Sequence, residues 1–86
     1  MNLFNNKIGY DGVKAVAQNI LAIHPKLECI ELGHNRIRNK GLKSVTDAII
    51  SNKHSEIKIL GLRFNFINNI GATYFFNKVT AAKTKI

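Results

Sequence analysis

The stretch Leu27 to Ile49, LECIELGHNRIRNKGLKSVTDAI, changes its periodicity halfway along. Ile30-Glu31-Leu32 alternates apolar and polar residues, so one face turns inward and the other toward solvent, as in a short strand. Asn35 interrupts that alternation, and Ile37 follows it as an apolar anchor. Gly41, Val45 and Ile49 then step by four, the spacing of a helical stripe. The period thus switches from 2 to about 3.6 within one short segment.

The same succession occurs three times. Asn6, Asn35 and Asn65 are spaced 35 − 6 = 29 and 65 − 35 = 30 residues apart. Ile8, Ile37 and Ile67 follow each asparagine by two, and Gly12, Gly41 and Gly71 by six. Val16, Val45 and Phe75 come next, then Ile20, Ile49 and Val79. Upstream, Leu27, Ile30 and Leu32 match Ile57, Leu60 and Leu62, while Met1 and Leu3 fill the last two of these slots in the first copy. One strand and one helix per unit, repeated in parallel, predict an α/β solenoid with a parallel strand face and outer helices.

The pattern L-x-x-I-x-L-x-x-N-x-I-x-x-x-G-x-x-x-V-x-x-x-I, from Leu27 to Ile49, resembles the ribonuclease-inhibitor type of leucine-rich repeat, with its long, helix-containing unit. The resemblance covers nearly the whole chain, as one domain of about three units at about 1–26, 27–56 and 57–86. It implies a concave strand face, a convex helical face, and a ladder of Asn6, Asn35 and Asn65 that satisfies backbone groups where each strand bends. Ile, Val and Phe stand at many of the family's leucine positions, which should alter core packing but not architecture. Neither end carries a polar capping unit, and three units are about the minimum for stability. The expectation is therefore a fragment, a subunit covered by a partner, or a chain that associates with itself end to end.

Composition bounds the partners. Thirteen basic against five acidic residues give a net charge of +8, which favours RNA, anionic surfaces or acidic proteins. Cys29 has no second cysteine in the chain to pair with, so a cytoplasmic or other reducing intracellular compartment is expected. No stretch approaches the ~18 apolar residues of a membrane span, and Met1 to Tyr10 lacks the order of a signal peptide.

Ligands of such folds usually meet the concave face and its adjoining loops. By alternation with Ile30 and Leu32, the exposed positions there are Cys29, Glu31 and Gly33; Ile59, Gly61 and Arg63 follow in the third copy, and Asn2 and Phe4 in the first. His34 and Phe64 come at the bend. Phe4, Cys29, Glu31, His34, Ile59, Arg63 and Phe64 form the candidate partner surface, since aromatic and Arg side chains dominate interface energetics. A second candidate, for an anionic partner, is Arg36, Arg38, Lys40 and Lys43. Their aligned positions are Lys7, Gly9, Asp11 and Lys14 in the first copy and Phe66, Asn68, Ile70 and Thr73 in the third, so the charge is local and does not form a track with aromatic platforms. Lys26, Lys53, Lys58, Lys83 and Lys85 near the helix-to-strand returns could form a second basic rim.

Catalytic and metal constellations are weak. His24, His34 and His54 occupy different parts of the repeat, with no helical i, i+4 pair, and converging zinc ligands are not evident. Cys29 and His34 lack a third orienting group. Glu28 and Glu31 are three apart along a strand, so they point to opposite faces. His24-Pro25 reads as a helix stop. The expectation is a non-enzymatic protein-interaction or scaffold module without cofactors; the alternative is a basic structural subunit of an RNA-containing or other large assembly.

Overall fold

A computed structural model describes residues 1–24, 26–63, 65–82, 84 and 86. The expected helix stop at Pro25, the candidate partner residue Phe64, and Lys83 and Lys85 of the possible second basic rim lie outside the described residues. Helix α1, Gly9–Val16, runs on into a π-helical turn, Ala17–Leu21. Strand β1 is Cys29–Glu31, helix α2 is Arg38–Ser51, strand β2 is Ile59–Gly61 and helix α3 is Asn69–Ala81. β1 and β2 pair in parallel, with Cys29 opposite Ile59, Ile30 opposite Leu60 and Glu31 opposite Gly61. Asn2 adds an isolated parallel bridge to Glu31 on the other side of β1. α2 packs between α1 and α3. Among the described residues no helix is long and apolar enough to cross a membrane.

Both strands begin one residue earlier than the alternation suggests, and α2 begins three residues before Gly41. The Arg38 amide donates to the Asn65 carbonyl at 2.7 Å, fixing the turn, and the Gly41 amide already donates back to Ile37. Gly41 therefore sits within the first helical turn. A Cβ there would collide with Ile37 and lie 2.8 Å from a Val13 methyl. The missing side chain is what lets α2 approach α1.

The middle of the chain is the driest part. Ile30, Leu32 and Ile37 are fully buried, joined by Val13, Leu21, Leu42, Val45 and Ile49. Their counterparts Leu3, Ile8, Leu60, Leu62 and Ile67 are only partly buried. Burying each of the first three contributes about 1.5–3 kcal/mol.

Polar order within this core comes from Asn35 and Asn65. The Asn35 side-chain oxygen accepts from the amides of Asn6 (2.8 Å) and Ile8 (3.4 Å), and its nitrogen donates to the carbonyls of Leu3, Leu32 and Gly33. Asn65 repeats this one step on: its oxygen accepts from the amides of Asn35 and Ile37, and its nitrogen donates to Leu32, Leu62 and Arg63. Asn6 departs from the expected ladder. Its side chain is exposed and makes one long bond, 3.4 Å, to the Phe4 carbonyl.

Asn52, which carries no repeat signal, makes a third tie. Its buried side chain donates to the carbonyls of Leu21 and His24 and accepts from the His54 amide, fastening the end of the first helical segment to the α2 exit.

Asn35→Ala should remove about 3 kcal/mol or more from the unfolding free energy measured by urea denaturation, because several buried groups lose their partner together. Asn6→Ala should change it by less than about 0.5 kcal/mol, as exposed substitutions usually do.

Candidate functional site

Three segments one repeat apart bring Phe4, His34 and Arg63 to the mouth of the strand face. The strand register sets this up: the Asn5 amide donates to Gly33, and the His34 amide donates to Arg63. The Phe4 and His34 rings meet edge to face with centroids 5.2 Å apart and planes at 73°. The Arg63 guanidinium lies 5.6 Å from the centroid of the Phe4 ring. His34 adopts φ 57, a left-handed conformation uncommon for a residue with a side chain. Asn5 has φ 58 one repeat earlier, so the bend has the same geometry in both segments.

Beside this cluster, Cys29 and Ile59 stand opposite one another in the sheet, and both are exposed. Ile59 is 63 % exposed, a large apolar side chain left in water. Glu31 is half-buried and bends over its own strand, where its carboxylate accepts the Gly33 amide at 2.7 Å. It also covers Gly61, where a Cβ would strike the carboxylate.

Gly33 corrects the alternation argument. It is buried rather than exposed, because the Phe4 ring and the Glu31 carboxylate close over it; a Cβ would lie 2.9 Å from each. Of the sequence-predicted partner residues, Phe4, His34, Arg63, Cys29, Ile59 and Glu31 thus share one surface. Phe64 lies outside the described residues.

Arg36 lies in the loop that leads into α2, and Arg38, Lys40 and Lys43 lie in the first turns of that helix. Arg36 (φ 56) and Arg38 (φ 64) continue the left-handed bend, with Gly9 (φ 69) in the place of Arg38 one repeat earlier. Sequence spacing missed the rings that meet these cations. Arg38 lies 5.3 Å from the centroid of Phe66, Lys40 5.2 Å from that of Tyr10, and Lys43 5.4 Å from that of Tyr74. Lys78 approaches Tyr74 as well, at 5.6 Å. Each such contact at an exposed site contributes about 0.5–1 kcal/mol. Lys58 of the second rim pairs with Glu28 at 3.1 Å.

Asp47 ties α2 to α3. It accepts from the Tyr74 hydroxyl and from Lys43 Nζ at 3.0 Å. Partial burial works to raise the Asp47 carboxyl pKa, but the hydrogen bonds from Tyr74 and Lys43 and the charges of Lys43 and Lys78 outweigh it, leaving it below the usual carboxylate value. The bond to Asp47 pushes the Tyr74 hydroxyl up, as it does the Lys43 ammonium. A depressed carboxyl contributes stability that is present above its unfolded pKa and lost as pH falls through the folded one.

The helical side also carries open grooves. One of about 360 Å³ lies between α1 and α2, lined by Lys14, Ala17, Gln18 and Ser44 among others. Another of about 220 Å³ lies between α2 and α3, lined by Asn39, Lys40, Lys43, Ile70, Gly71 and Tyr74. His24, His34 and His54 do not converge, and among the described residues no group of three His, Cys, Asp or Glu side chains could hold a metal ion.

A protein-family model described as Leucine Rich repeat matches residues 2–17 and 24–45. The match supports a leucine-rich repeat protein, a class whose repeats generally mediate protein–protein interaction, and it suggests a solenoid-type fold. No curated protein and no solved structure matches the chain.

Tyr74→Phe removes one donor from Asp47 and should raise its carboxyl pKa toward the ordinary value. A side-chain NMR titration of Asp47 in both proteins reads this directly, with an unchanged midpoint as the contrary result.

Proposed function

We propose that this is a leucine-rich repeat protein of the ribonuclease-inhibitor type, with three units at about 1–26, 27–56 and 57–86, acting as a non-enzymatic protein-interaction or scaffold module. The convergence of Phe4, His34 and Arg63 carries the reading. Each comes from a different unit, so the cluster exists only when the units are stacked in register. Aromatic and arginine side chains beside exposed apolar residues are the composition of an interface hot spot. Ile59 and Cys29 offer apolar area next to that cluster. Arg63 offers guanidinium donors suited to a carboxylate or a carbonyl of the partner. Glu31 has another task, since its carboxylate is held by the Gly33 amide. A reducing intracellular compartment belongs to this proposal, because an exposed Cys29 thiol would be open to oxidation elsewhere.

A second reading, a basic subunit of an RNA-containing or other large assembly, draws on the +8 charge and on the cations gathered along α2. Nucleic-acid grooves use aromatic faces as platforms for bases. Here Tyr10, Phe66 and Tyr74 each have a ring face covered by a cation of the same chain. That cover leaves less ring face on which bases could stack.

Affinity capture from the native source should lose its partner about tenfold or more with Ile59→Asp or Phe4→Ala, the scale of losing about 1.4 kcal/mol at a hot spot. Arg36→Ala/Arg38→Ala should leave capture intact, and moderate salt should change it little. Loss confined to the double arginine variant, with a steep salt dependence, would favour the RNA reading instead. Melting curves of each variant separate lost contacts from lost fold.

A further inference from the structure

The two ends of the stack carry complementary halves of one interface. This interface already occurs twice inside the molecule, once between the first segment and the middle one and once between the middle segment and the third. In each, an asparagine side-chain oxygen of the later segment accepts two amides of the earlier one: Asn6 and Ile8 on Asn35, then Asn35 and Ile37 on Asn65. The corresponding amides of the third segment, those of Asn65 and Ile67, reach no acceptor among the described residues. At the other end, the exposed Asn6 side-chain oxygen accepts no bond among them. One end keeps the donors of a further rung and the other keeps its acceptor.

Helix surfaces repeat the complementarity. Ala17 of the first helical segment and Thr46 of α2 are buried, and Phe76 of α3, which aligns with them, is 67 % exposed. Val13 and Leu42 are buried, and their counterpart Ala72 is exposed. On the opposite face, Ser44 lines the groove between α1 and α2, and Tyr74 bonds across to Asp47. Their counterpart on α1 is Ala15, exposed and small enough to receive a large ring.

We infer that the Asn65/Phe76 end binds the Asn6/Ala15 end of a second copy of this chain, head to tail, continuing the ladder and the helix layer across the junction. The inference rests on the three-unit reading above but uses neither the Phe4 cluster nor the arginines. Such an interface pairs two different surfaces, so it adds one copy at a time, into open oligomers or, where the rotation closes, into a ring. The net charge of +8 opposes it, so salt should promote association by screening, the reverse of its effect on RNA binding.

Sedimentation velocity of the 86-residue chain over a concentration series tests the inference, with circular dichroism as the check on folding. Wild type should gain mass with concentration, more so at higher salt. Phe76→Glu blocks one end and Ala15→Glu the other, so each alone should remain a folded monomer. Mixed in equal amounts, the two variants keep one intact end each and should form a dimer that grows no further. A folded wild-type monomer at every concentration would overturn the stacking while leaving the three-unit fold standing, and would assign these ends to another occupant. Variants that assemble like wild type, or a mixture that stays monomeric, would also overturn it. An unfolded wild-type chain would overturn both the stacking and the fold it rests on.

Discussion

Asn35 is the group on which the arrangement depends. Its side chain is buried, and it bonds to backbone from the first segment and from its own bend, while its amide is held by Asn65. Apolar burial supplies most of the driving force but is non-directional, so on its own it would tolerate strands displaced along one another. A displacement by one residue would turn each side chain to the other face. The carboxamide prevents this because it has to meet amides and carbonyls in fixed positions. Leaving one such buried group unsatisfied costs about 1–3 kcal/mol, comparable to exposing an isoleucine. Register and core are therefore enforced by interactions of similar size.

Charge takes second place to that framework. Thirteen cations must be accommodated on a small surface, and those of α2 are spread over rings supplied by the segments on either side of it. Tyr74 takes part twice, bonding Asp47 through its hydroxyl and meeting Lys43 and Lys78 at its ring. The result is a helical surface on which Arg38, Lys40, Lys43 and Lys78 meet rings, while Ile70 on that side and Ile59 and Cys29 on the strand face have water.

The spacing of Asn, Ile and Gly made the strand–bend–helix order legible, because those residues recur along the chain itself. The Asn35 and Asn65 rungs follow from that spacing, as does the grouping of Phe4, His34, Ile59 and Arg63 on one surface. Lateral geometry was not legible. Alternation places Gly33 in solvent, because it has no means of representing a Phe4 ring arriving from another segment. Asn52 aligns with Ile23 and Ala82, so no periodicity marks it as a buried tie. The cation–ring pairs have the same cause: Tyr10 and Lys40 meet through the offset between neighbouring helices, a distance that sequence does not encode locally.

The ladder bonds between segments join residues separated by nearly the same length of chain, from 27 for Ile8 to Asn35 up to 33 for Leu32 to Asn65. Loop-closure entropy grows slowly, by about 0.6 kcal/mol for each doubling, so each rung begins with almost the same entropic handicap. What then ranks them is dryness: Ile30, Leu32 and Ile37 of the middle segment are fully buried, and their counterparts in the outer segments are partly buried or exposed. α1 and α3 share no contact with each other among the described elements, and each packs on α2. The middle segment therefore carries the helix packing of both neighbours, while its own central asparagine is held by the first segment on one side and the third on the other.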